Sequence, residues 1–180
     1  MSEDKKHKIV ILDDDHYPEG RVSVWIMPVF RELGITNAVH YKTFASMKKD
    51  ILFGKLDRNS LFILDSSLCD EPDGHLWEFG KTVPTLLDEC GVNYKQIVPA
   101  SGGKEGRNNN SVFFQMLEMR GKIENFGQRC LEFQGLTGDP EKVVKSIVDY
   151  HNELFPNEIY IETKKEMASQ LIEGGQVLQR

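Results

Sequence analysis

The chain has 180 residues, and its 28 acidic side chains outnumber the 22 basic ones, which gives a formal net charge of −6. This length suits one domain with a sizeable hydrophobic core, and the negative charge argues against nucleic-acid binding, which normally needs a basic surface. Its three cysteines, Cys69, Cys90 and Cys130, form no CxxC pair, so the sequence indicates neither a disulfide framework nor a zinc knuckle. The charged amino terminus and the lack of a long apolar run predict a soluble, cytoplasmic protein without a membrane span.

The first predicted element is a strand that runs into three aspartates, in the stretch KIVILDDDHY of residues 8–17. The unbroken apolar run at residues 9–12 is typical of a central parallel strand that is covered on both faces. Asp13, Asp14 and Asp15 then follow at its carboxyl end, the edge where ligands bind in open α/β sheets. Crowded carboxylates repel one another unless a cation or shared protons relieve them. The cluster therefore favours a site over acids that merely stabilise a helix start.

A helix is predicted next, over RVSVWIMPVFRELG at residues 21–34. Its apolar residues recur at helical spacing, its end is marked by Gly34, and Pro28 is expected to bend it. The predicted buried stripe consists of Val22, Trp25, Ile26, Val29, Phe30 and Leu33. A strand at AVHYK and a helix around FASMKKDILFGKL follow.

The middle of the chain repeats the alternation of strand and helix. SLFILDSS is a second apolar strand and ends in Asp65, EPDGHLWEFGKTVPTLLDECGV is a turn and helix that stops at Gly91, and KQIVPASGG is a third apolar strand. Strands that alternate with helices at this spacing predict an α/β fold with a doubly wound parallel sheet.

The last third of the chain adds further elements to this pattern. GGKEGRNNNS is a predicted loop, SVFFQMLEMRGKI a helix and CLEFQG a strand. GDPEKVVKSIVDYHNELF is a clear helix, with Asp139 as its cap and Pro140 in its first turn. NEIYIE and KKEMASQLIEGG add one more strand and helix toward the carboxyl terminus.

Three strand ends carry groups with related chemistry: the aspartates at 13–15, Asp65 and Ser101. The carboxyl ends of parallel strands meet at one edge, where two or three carboxylates can hold Mg²⁺ while the ion keeps several waters. Another aspartate beside the ion can attack phosphorus, because the cation screens both the nucleophile and the phosphoryl group. The Ser101 hydroxyl can hydrogen-bond a phosphoryl oxygen.

These motifs resemble the receiver domain of the response regulators of two-component systems. KIVILDDD is similar to its first strand and acidic pair, LFILDSSLCDEPDG to its phosphoacceptor strand, and QIVPASGG to the strand with the switch hydroxyl, over residues 8–103. The resemblance implies a flavodoxin-like fold and a Mg²⁺ site formed by Asp13, Asp14 and Asp65. It makes Asp65 the phosphoacceptor and Ser101 the switch residue.

The resemblance also implies partners. A phosphoprotein of this class is a signalling module rather than an enzyme. It receives its phosphoryl group in a phosphorelay from a sensor histidine kinase or phosphotransfer protein, and acts on a downstream protein partner.

The family's phosphate-pairing lysine has two candidate positions in this chain. If CLEFQG is the last strand of the sheet, the position holds Gln134, next to Phe133; if IYIETK is that strand, Lys164 takes the role, with Tyr160 as the nearby aromatic. We therefore expect a single receiver-like domain over residues 1–180. Its core is 8–103 plus either 158–180 or 128–155, and 104–157 is a possible insertion in the first case.

A second resemblance competes with the first. Haloacid-dehalogenase-type phosphatases carry an Asp-x-Asp after an apolar strand, and residues 13–15 fit that spacing. It implies Asp13 as nucleophile and Asp15 as acid/base. A third possibility is a pseudo-receiver, a protein-binding module that keeps the fold without phosphotransfer.

Overall fold

A parallel sheet forms the centre of the molecule. The computed structural model describes residues 7–15, 21–70, 75–101, 131–132, 139–156 and 158–159. Its strands are β1 (Ile9–Leu12), β2 (Ala38–Tyr41), β3 (Leu61–Asp65), β4 (Ser67–Asp70), β5 (His75–Glu78), β6 (Ile97–Ser101) and β7 (Leu131–Glu132). Five of them form one sheet in the order β2-β1-β3-β6-β7, and every neighbouring pair is parallel. The predicted parallel α/β sheet is thus confirmed.

The apolar runs of the sequence occupy the middle of this sheet. All four residues of β1 are fully buried, as are the first four of β3. β1 lies between β2 and β3, with Leu12 paired to Tyr41 on one side and to Leu64 on the other. A strand that is covered on both faces has no solvent-facing positions, which is why its sequence shows no alternation.

Helices cover both faces of the sheet. They are α1 (Met27–Glu32, preceded by π-helical Arg21–Ile26), α2 (Phe44–Leu52), α3 (Phe79–Pro84, continued by π-helical Thr85–Glu89), a 3₁₀ turn (Tyr94–Gln96) and α4 (Pro140–Leu154). The core accordingly has two parts. One packs side chains of α1 and α4 against Ile9 and Ile11, and the other packs α2 and α3 against Val10 and Leu12.

The first helix departs from its predicted buried stripe. Val22, Ile26, Val29 and Phe30 are buried, but Trp25 is 44% exposed and Leu33 is 39% exposed. The expectation for these two was wrong, for Trp25 because residues 21–26 are π-helical. A π-turn holds more residues than an α-turn, so the step from Val22 to Trp25 does not return to the same face. Leu33 lies beyond the last helical residue, Glu32.

A hairpin replaces the first part of the predicted helix after Asp65. β4 and β5 pair antiparallel, with Leu68 opposite Trp77 and Asp70 opposite His75. The helix begins only at Phe79. Two short runs with apolar residues on either side of a Pro-Asp-Gly turn sequence are a hairpin signal, and this signal outweighs the helical spacing of the residues that follow.

Helix α4 agrees with its prediction. The side chain of Asp139 accepts a hydrogen bond from the Lys142 N–H, and Pro140 occupies the first turn. The buried face consists of Val143, Val144, Ile147, Val148 and His151. Gly34 and Gly91, the predicted stops of two earlier helices, have φ values of 69° and 68°, which glycine adopts without strain.

A histidine cluster ties α4 to the amino end of the sheet; the name denotes His7, His151, Phe155 and Glu158. His7 donates from its backbone N–H to Glu158 Oε2 at 2.8 Å and from Nδ1 to Glu158 Oε1 at 2.6 Å. His151, which is fully buried, donates from Nε2 to the His7 carbonyl at 3.0 Å. The His7 ring stacks on Phe155 with centroids 3.9 Å apart.

Several predicted elements lie outside the described residues: the loop and helix between 102 and 130, the remainder of CLEFQG, and the strand and helix beyond 159. Leu131 and Glu132 belong to CLEFQG and pair with Ala100 and Ser101. In the part of the chain that the structure describes, no helix combines the length and apolar character needed to cross a lipid bilayer.

Candidate acidic site at the carboxyl ends of the strands

The strand register brings two of the predicted aspartates side by side. Leu12 of β1 pairs with Leu64 of β3, and Asp13 and Asp65 are the residues that follow. The Asp13 N–H still donates to the Tyr41 carbonyl at 3.1 Å, so β1 remains in register at this point. Neighbouring strands are about 4.8 Å apart, so the backbones of Asp13 and Asp65 are adjacent although they are far apart in sequence.

This edge is also the point where the chain changes direction across the sheet. From β1 the chain moves to β2 on one side, and it then returns past β1 to β3 on the other side. The connecting helices α1 and α2 lie on opposite faces. A crevice opens outside the strands at such a switch point, and ligands of open α/β sheets bind there. Asp13 and Asp65 flank this position.

The environment of the Asp13 side chain disfavours its negative charge. Burial raises the pKa of Asp13 above its usual value, and the negative charges of Asp15 and Asp14 raise it further. The backbone N–H of Asp15, which donates to Asp13 Oδ1 at 2.8 Å, and the nearby His40 act in the opposite direction without cancelling the shift. A positively charged ligand would stabilise the ionised form of this carboxylate.

Asp14 connects the tip of β1 to the hairpin. Its Oδ2 accepts a hydrogen bond from the Cys69 N–H at 2.9 Å, although the two residues are 55 positions apart. Cys69 lies in β4, directly after the strand that carries Asp65. The Asp14 side chain therefore extends toward β3 and β4 rather than toward β2.

Asp65 closes β3 as a half-buried residue. Its Oδ1 accepts a hydrogen bond from the N–H of Ser66 at 2.7 Å. Asp65 pairs with Ala100 of β6, so Ser101 lies one residue beyond it on the neighbouring strand. The backbone of Ser101 ends β6, while its hydroxyl is outside the described atoms. Lys164, Gln134 and Phe133 lie outside the described residues.

Asp15 serves a different purpose from the other two aspartates. Its side chain is only 3% exposed, and its Oδ1 accepts hydrogen bonds from the N–H groups of Val22 at 2.9 Å and Ser23 at 3.4 Å. The Ser23 hydroxyl donates to Oδ2. Asp15 thus binds the first turn of the helix that begins at residue 21, as an N-cap side chain does.

The charge of Asp15 is well compensated. Burial alone would raise its pKa, but the Ser23 hydroxyl, the charge of His40 and the two backbone N–H groups together lower it below the usual value. Lys42 Nζ lies 3.5 Å from Oδ2. A general acid needs a pKa near the working pH, so this environment does not favour Asp15 as the acid/base of a phosphatase.

His40, Ser23 and Lys42 form part of this site, and the sequence interpretation did not find them. His40 Nε2 donates to the Asp13 carbonyl at 2.7 Å, and His40 Nδ1 lies 3.4 Å from Ser23 Oγ. The only local signal is that AVHYK is a short strand whose end carries polar residues. Its position beside β1 becomes known only once the sheet order is known.

The chemistry of the donors suits a hard cation. Asp13, Asp14 and Asp65 offer carboxylate oxygens, the ligands that Mg²⁺ takes, and one or two carboxylates with retained waters suffice for this ion. Over the described ranges, no three His, Cys, Asp or Glu side chains are already grouped around one metal position. Mg²⁺ usually keeps several waters in its coordination shell, so carboxylates at this edge would share the ion with water.

Comparisons of the chain with protein-family models, with curated proteins and with solved structures give no significant match.

Proposed function

We propose that the protein is a Mg²⁺-dependent phosphoacceptor module that is phosphorylated on Asp65 and passes the change to a partner protein. The observation that carries this proposal is the placement of Asp13 beside Asp65 at the switch point of the sheet, together with the raised pKa of Asp13. A crowded carboxylate next to a potential nucleophile is what a phosphoryl-transfer site needs when a divalent cation joins it.

Each residue has a defined role in the proposed reaction. Mg²⁺, when bound, screens the negative charges of the acids and of the phosphoryl group. Asp13 and Asp14 would hold the ion, with Asp65 as a further ligand. A carboxylate oxygen of Asp65 forms the new O–P bond, while the bond from phosphorus to the donor's leaving group breaks and its electron pair departs with that group. Ser101 donates its hydroxyl to a phosphoryl oxygen, and the role of pairing with the phosphoryl group falls to Gln134 or to Lys164, according to which strand is the last of the sheet.

The strand order supports the flavodoxin-like part of the proposal. Numbered by themselves, the five parallel strands follow the order 2-1-3-4-5, which is that of flavodoxin-like sheets. The pairing of Leu131 and Glu132 with β6 favours the arrangement in which residues 128–155 complete the core. The strand and helix beyond 158 are then an additional unit, and Gln134 takes the position of the phosphate-pairing residue in place of Lys164.

The proposed partners follow from the same chemistry. A sensor histidine kinase or phosphotransfer protein supplies the phosphoryl group, and a downstream protein recognises the phosphorylated form. The net charge of −6 makes a nucleic acid an unsuitable direct partner. A cytoplasmic location is part of this proposal, since such relays operate there.

A small-molecule phosphodonor tests the proposal without knowledge of the kinase. The full chain is incubated with acetyl phosphate, with and without Mg²⁺, and intact mass reports the gain of one phosphoryl group. We expect Mg²⁺-dependent uptake that is absent in Asp65→Asn and kept in Asp149→Asn, which removes an exposed carboxylate on α4. Uptake by Asp65→Asn at the wild-type level would contradict the assignment.

Two further assays, hydrolysis of a phosphomonoester and binding of Mg²⁺, separate the alternatives. A phosphatase that uses Asp13 would hydrolyse a phosphomonoester such as p-nitrophenyl phosphate, and Asp13→Asn would lose this turnover while Asp65→Asn kept it. A pseudo-receiver would neither take up a phosphoryl group nor bind Mg²⁺ at millimolar concentration. Either outcome would overturn the phosphoacceptor proposal.

A further inference from the structure

We propose that Ser23 and His40 are positioning residues that hold the tip of β1 so that the Asp13 carboxylate is directed to the cation. This inference rests on the proposed function and extends it. Neither residue contacts the cation in the proposal; each acts through Asp13 or Asp15.

The contacts around the tip of β1 form a closed ring. The Asp15 N–H donates to Asp13 Oδ1 at 2.8 Å, and the Ser23 hydroxyl donates to Asp15 Oδ2. His40 lies within 3.4 Å of Ser23 Oγ through Nδ1 and donates from Nε2 to the Asp13 carbonyl at 2.7 Å. The ring thus begins and ends on the same residue, Asp13. It joins the ends of two strands to the start of a helix.

Two hydrogen bonds of the ring have a direction that follows from their acceptors, the Asp13 carbonyl and the Asp15 carboxylate. A carbonyl oxygen can only accept, so His40 Nε2 must carry the proton in its bond to Asp13. Ser23 gives its hydroxyl hydrogen to Asp15, so its 3.4 Å contact with His40 Nδ1 is a hydrogen bond only when that nitrogen also carries a proton. Asp15 Oδ2 lies 3.9 Å from the same nitrogen. Each of the three side chains therefore restricts the orientation of the other two.

The backbone at this point needs such a restraint. Asp15 has a φ of 57°, the one positive φ among the described non-glycine residues. This left-handed conformation is strained for a side chain with a Cβ and persists only where its surroundings enforce it. The bonds from Ser23, from the Val22 N–H and to Asp13 supply that enforcement.

These contacts fix the orientation of the Asp13 carboxylate. Its backbone is held by His40 and its Oδ1 by the Asp15 N–H. Within the described residues these bonds engage one carboxylate oxygen, and Oδ2 accepts no hydrogen bond there. We assign Oδ2 as the oxygen that meets Mg²⁺. Groups that orient a metal ligand from behind typically change metal affinity about 10- to 100-fold when removed.

Four variants of the full chain test the assignment. Ser23→Ala and His40→Phe break the ring, His40→Gln keeps one amide donor in place of Nε2, and Ser146→Ala on α4 is the matched control. Four properties are measured: Mg²⁺ affinity by isothermal titration, the rate of phosphorylation by acetyl phosphate at saturating Mg²⁺, hydrogen exchange of the Asp15 amide in metal-free protein, and the melting temperature.

We expect the dissociation constant for Mg²⁺ to rise about 10-fold or more in Ser23→Ala and His40→Phe. The phosphorylation rate at saturating Mg²⁺ should stay close to that of the wild type, because the ring acts on binding. Exchange of the Asp15 amide should accelerate in the same two variants. His40→Gln should recover most of the affinity, which a loss of general stability would not allow, and Ser146→Ala should match the wild type.

The outcomes separate this assignment from the proposed function. If the wild type binds Mg²⁺ and accepts a phosphoryl group, but Ser23→Ala and His40→Phe bind the ion equally well, only the positioning role is overturned. Affinity and melting temperature that fall together without rescue by His40→Gln overturn it as well. If the wild type binds no Mg²⁺, the proposed function and the positioning role fall together.

Discussion

The carboxylates at the two ends of the central sheet have opposite pKa shifts. At the carboxyl ends of the strands, Asp13 is crowded by neighbouring acids and its pKa is raised, chiefly by burial. At the amino ends, the histidine cluster pairs acid with base. Partial burial would raise the pKa of Glu158, but its hydrogen bonds with His7 lower it. The carboxylate at one edge thus lies among other acids, whereas the carboxylate at the other edge is paired with a histidine.

The contrast separates an edge whose charges are paired from an edge where a buried carboxylate lies among other acids. Balanced contacts that join residues 151 positions apart, such as His7 and Glu158, hold the two ends of the fold together. A carboxylate that is buried without a compensating positive charge lowers stability, and the proposed cation would compensate it. The comparison therefore predicts that substitutions at the two edges change stability in opposite directions.

The largest expected effect is a loss of stability from His151→Ala. The substitution removes a fully buried ring and its bond to the His7 carbonyl, and deletion of a buried side chain of this size costs about 2–4 kcal/mol. Urea unfolding measures the change. Lys145→Ala, an exposed position on the same helix, should stay within about 0.5 kcal/mol of the wild type. If both substitutions change the free energy of unfolding equally, the histidine cluster does not stabilise the fold.

Mg²⁺ should produce the next largest effect, and of opposite sign. A ligand that binds only the folded state stabilises it by about 2.7 kcal/mol at 100 times its dissociation constant. Unfolding with and without the ion should show this gain in the wild type and in Asp149→Asn. Asp13→Asn should lose most of it. If Mg²⁺ stabilises Asp13→Asn as much as the wild type, the ion binds elsewhere.

Asp13→Asn should stabilise the metal-free protein. At neutral pH, the asparagine removes a charge that burial and neighbouring acids disfavour, while its side-chain oxygen can still accept the bond from the Asp15 N–H. Relief of a charge conflict commonly adds about 0.5–2 kcal/mol. The midpoint of urea unfolding in the presence of a chelator measures it. A loss of stability would show that the Asp13 carboxylate supports the fold, contrary to the comparison.

The smallest expected effect is a pH dependence that arises from His151. Burial lowers the pKa of His151 in the folded protein below its ordinary value of 6.5. Between the pKa of the folded state and that of the unfolded state, the unfolded chain therefore binds more protons than the folded one. Stability is then complete above about pH 6.5 and falls as the pH decreases below it, by at most about 1.4 kcal/mol per pH unit. Urea midpoints from pH 5 to 8 should show this slope in the wild type. A His151→Phe variant with an unchanged slope would contradict the assignment.

Local signals in the sequence predicted a large part of the fold. The apolar runs at residues 9–12 and 61–64 identify the central strands, because a strand buried on both faces has no polar alternation. Gly34, Gly91 and Asp139 mark helix ends through their own conformation or side chain. Asp13 and Asp65 were also accessible to sequence reasoning, because each directly follows one of these apolar runs.

The contacts between distant residues could not be predicted in this way. His40 reaches Asp13 across 27 positions, and this proximity depends on β2 lying beside β1. The π-helical start of the first helix changed the face on which Trp25 lies. The separate role of Asp15 became visible only with its bonds to Val22 and Ser23, since three consecutive aspartates look equivalent in a sequence.

The bond from the Cys69 N–H to Asp14 has a consequence for how this region tolerates mutation. Because the donor belongs to the main chain, nearly any amino acid at position 69 can supply it. Proline is the exception, since it has no backbone N–H. The link between the hairpin and the acidic edge can therefore survive extensive divergence at this site, and related chains can keep the contact without showing a recognisable residue there.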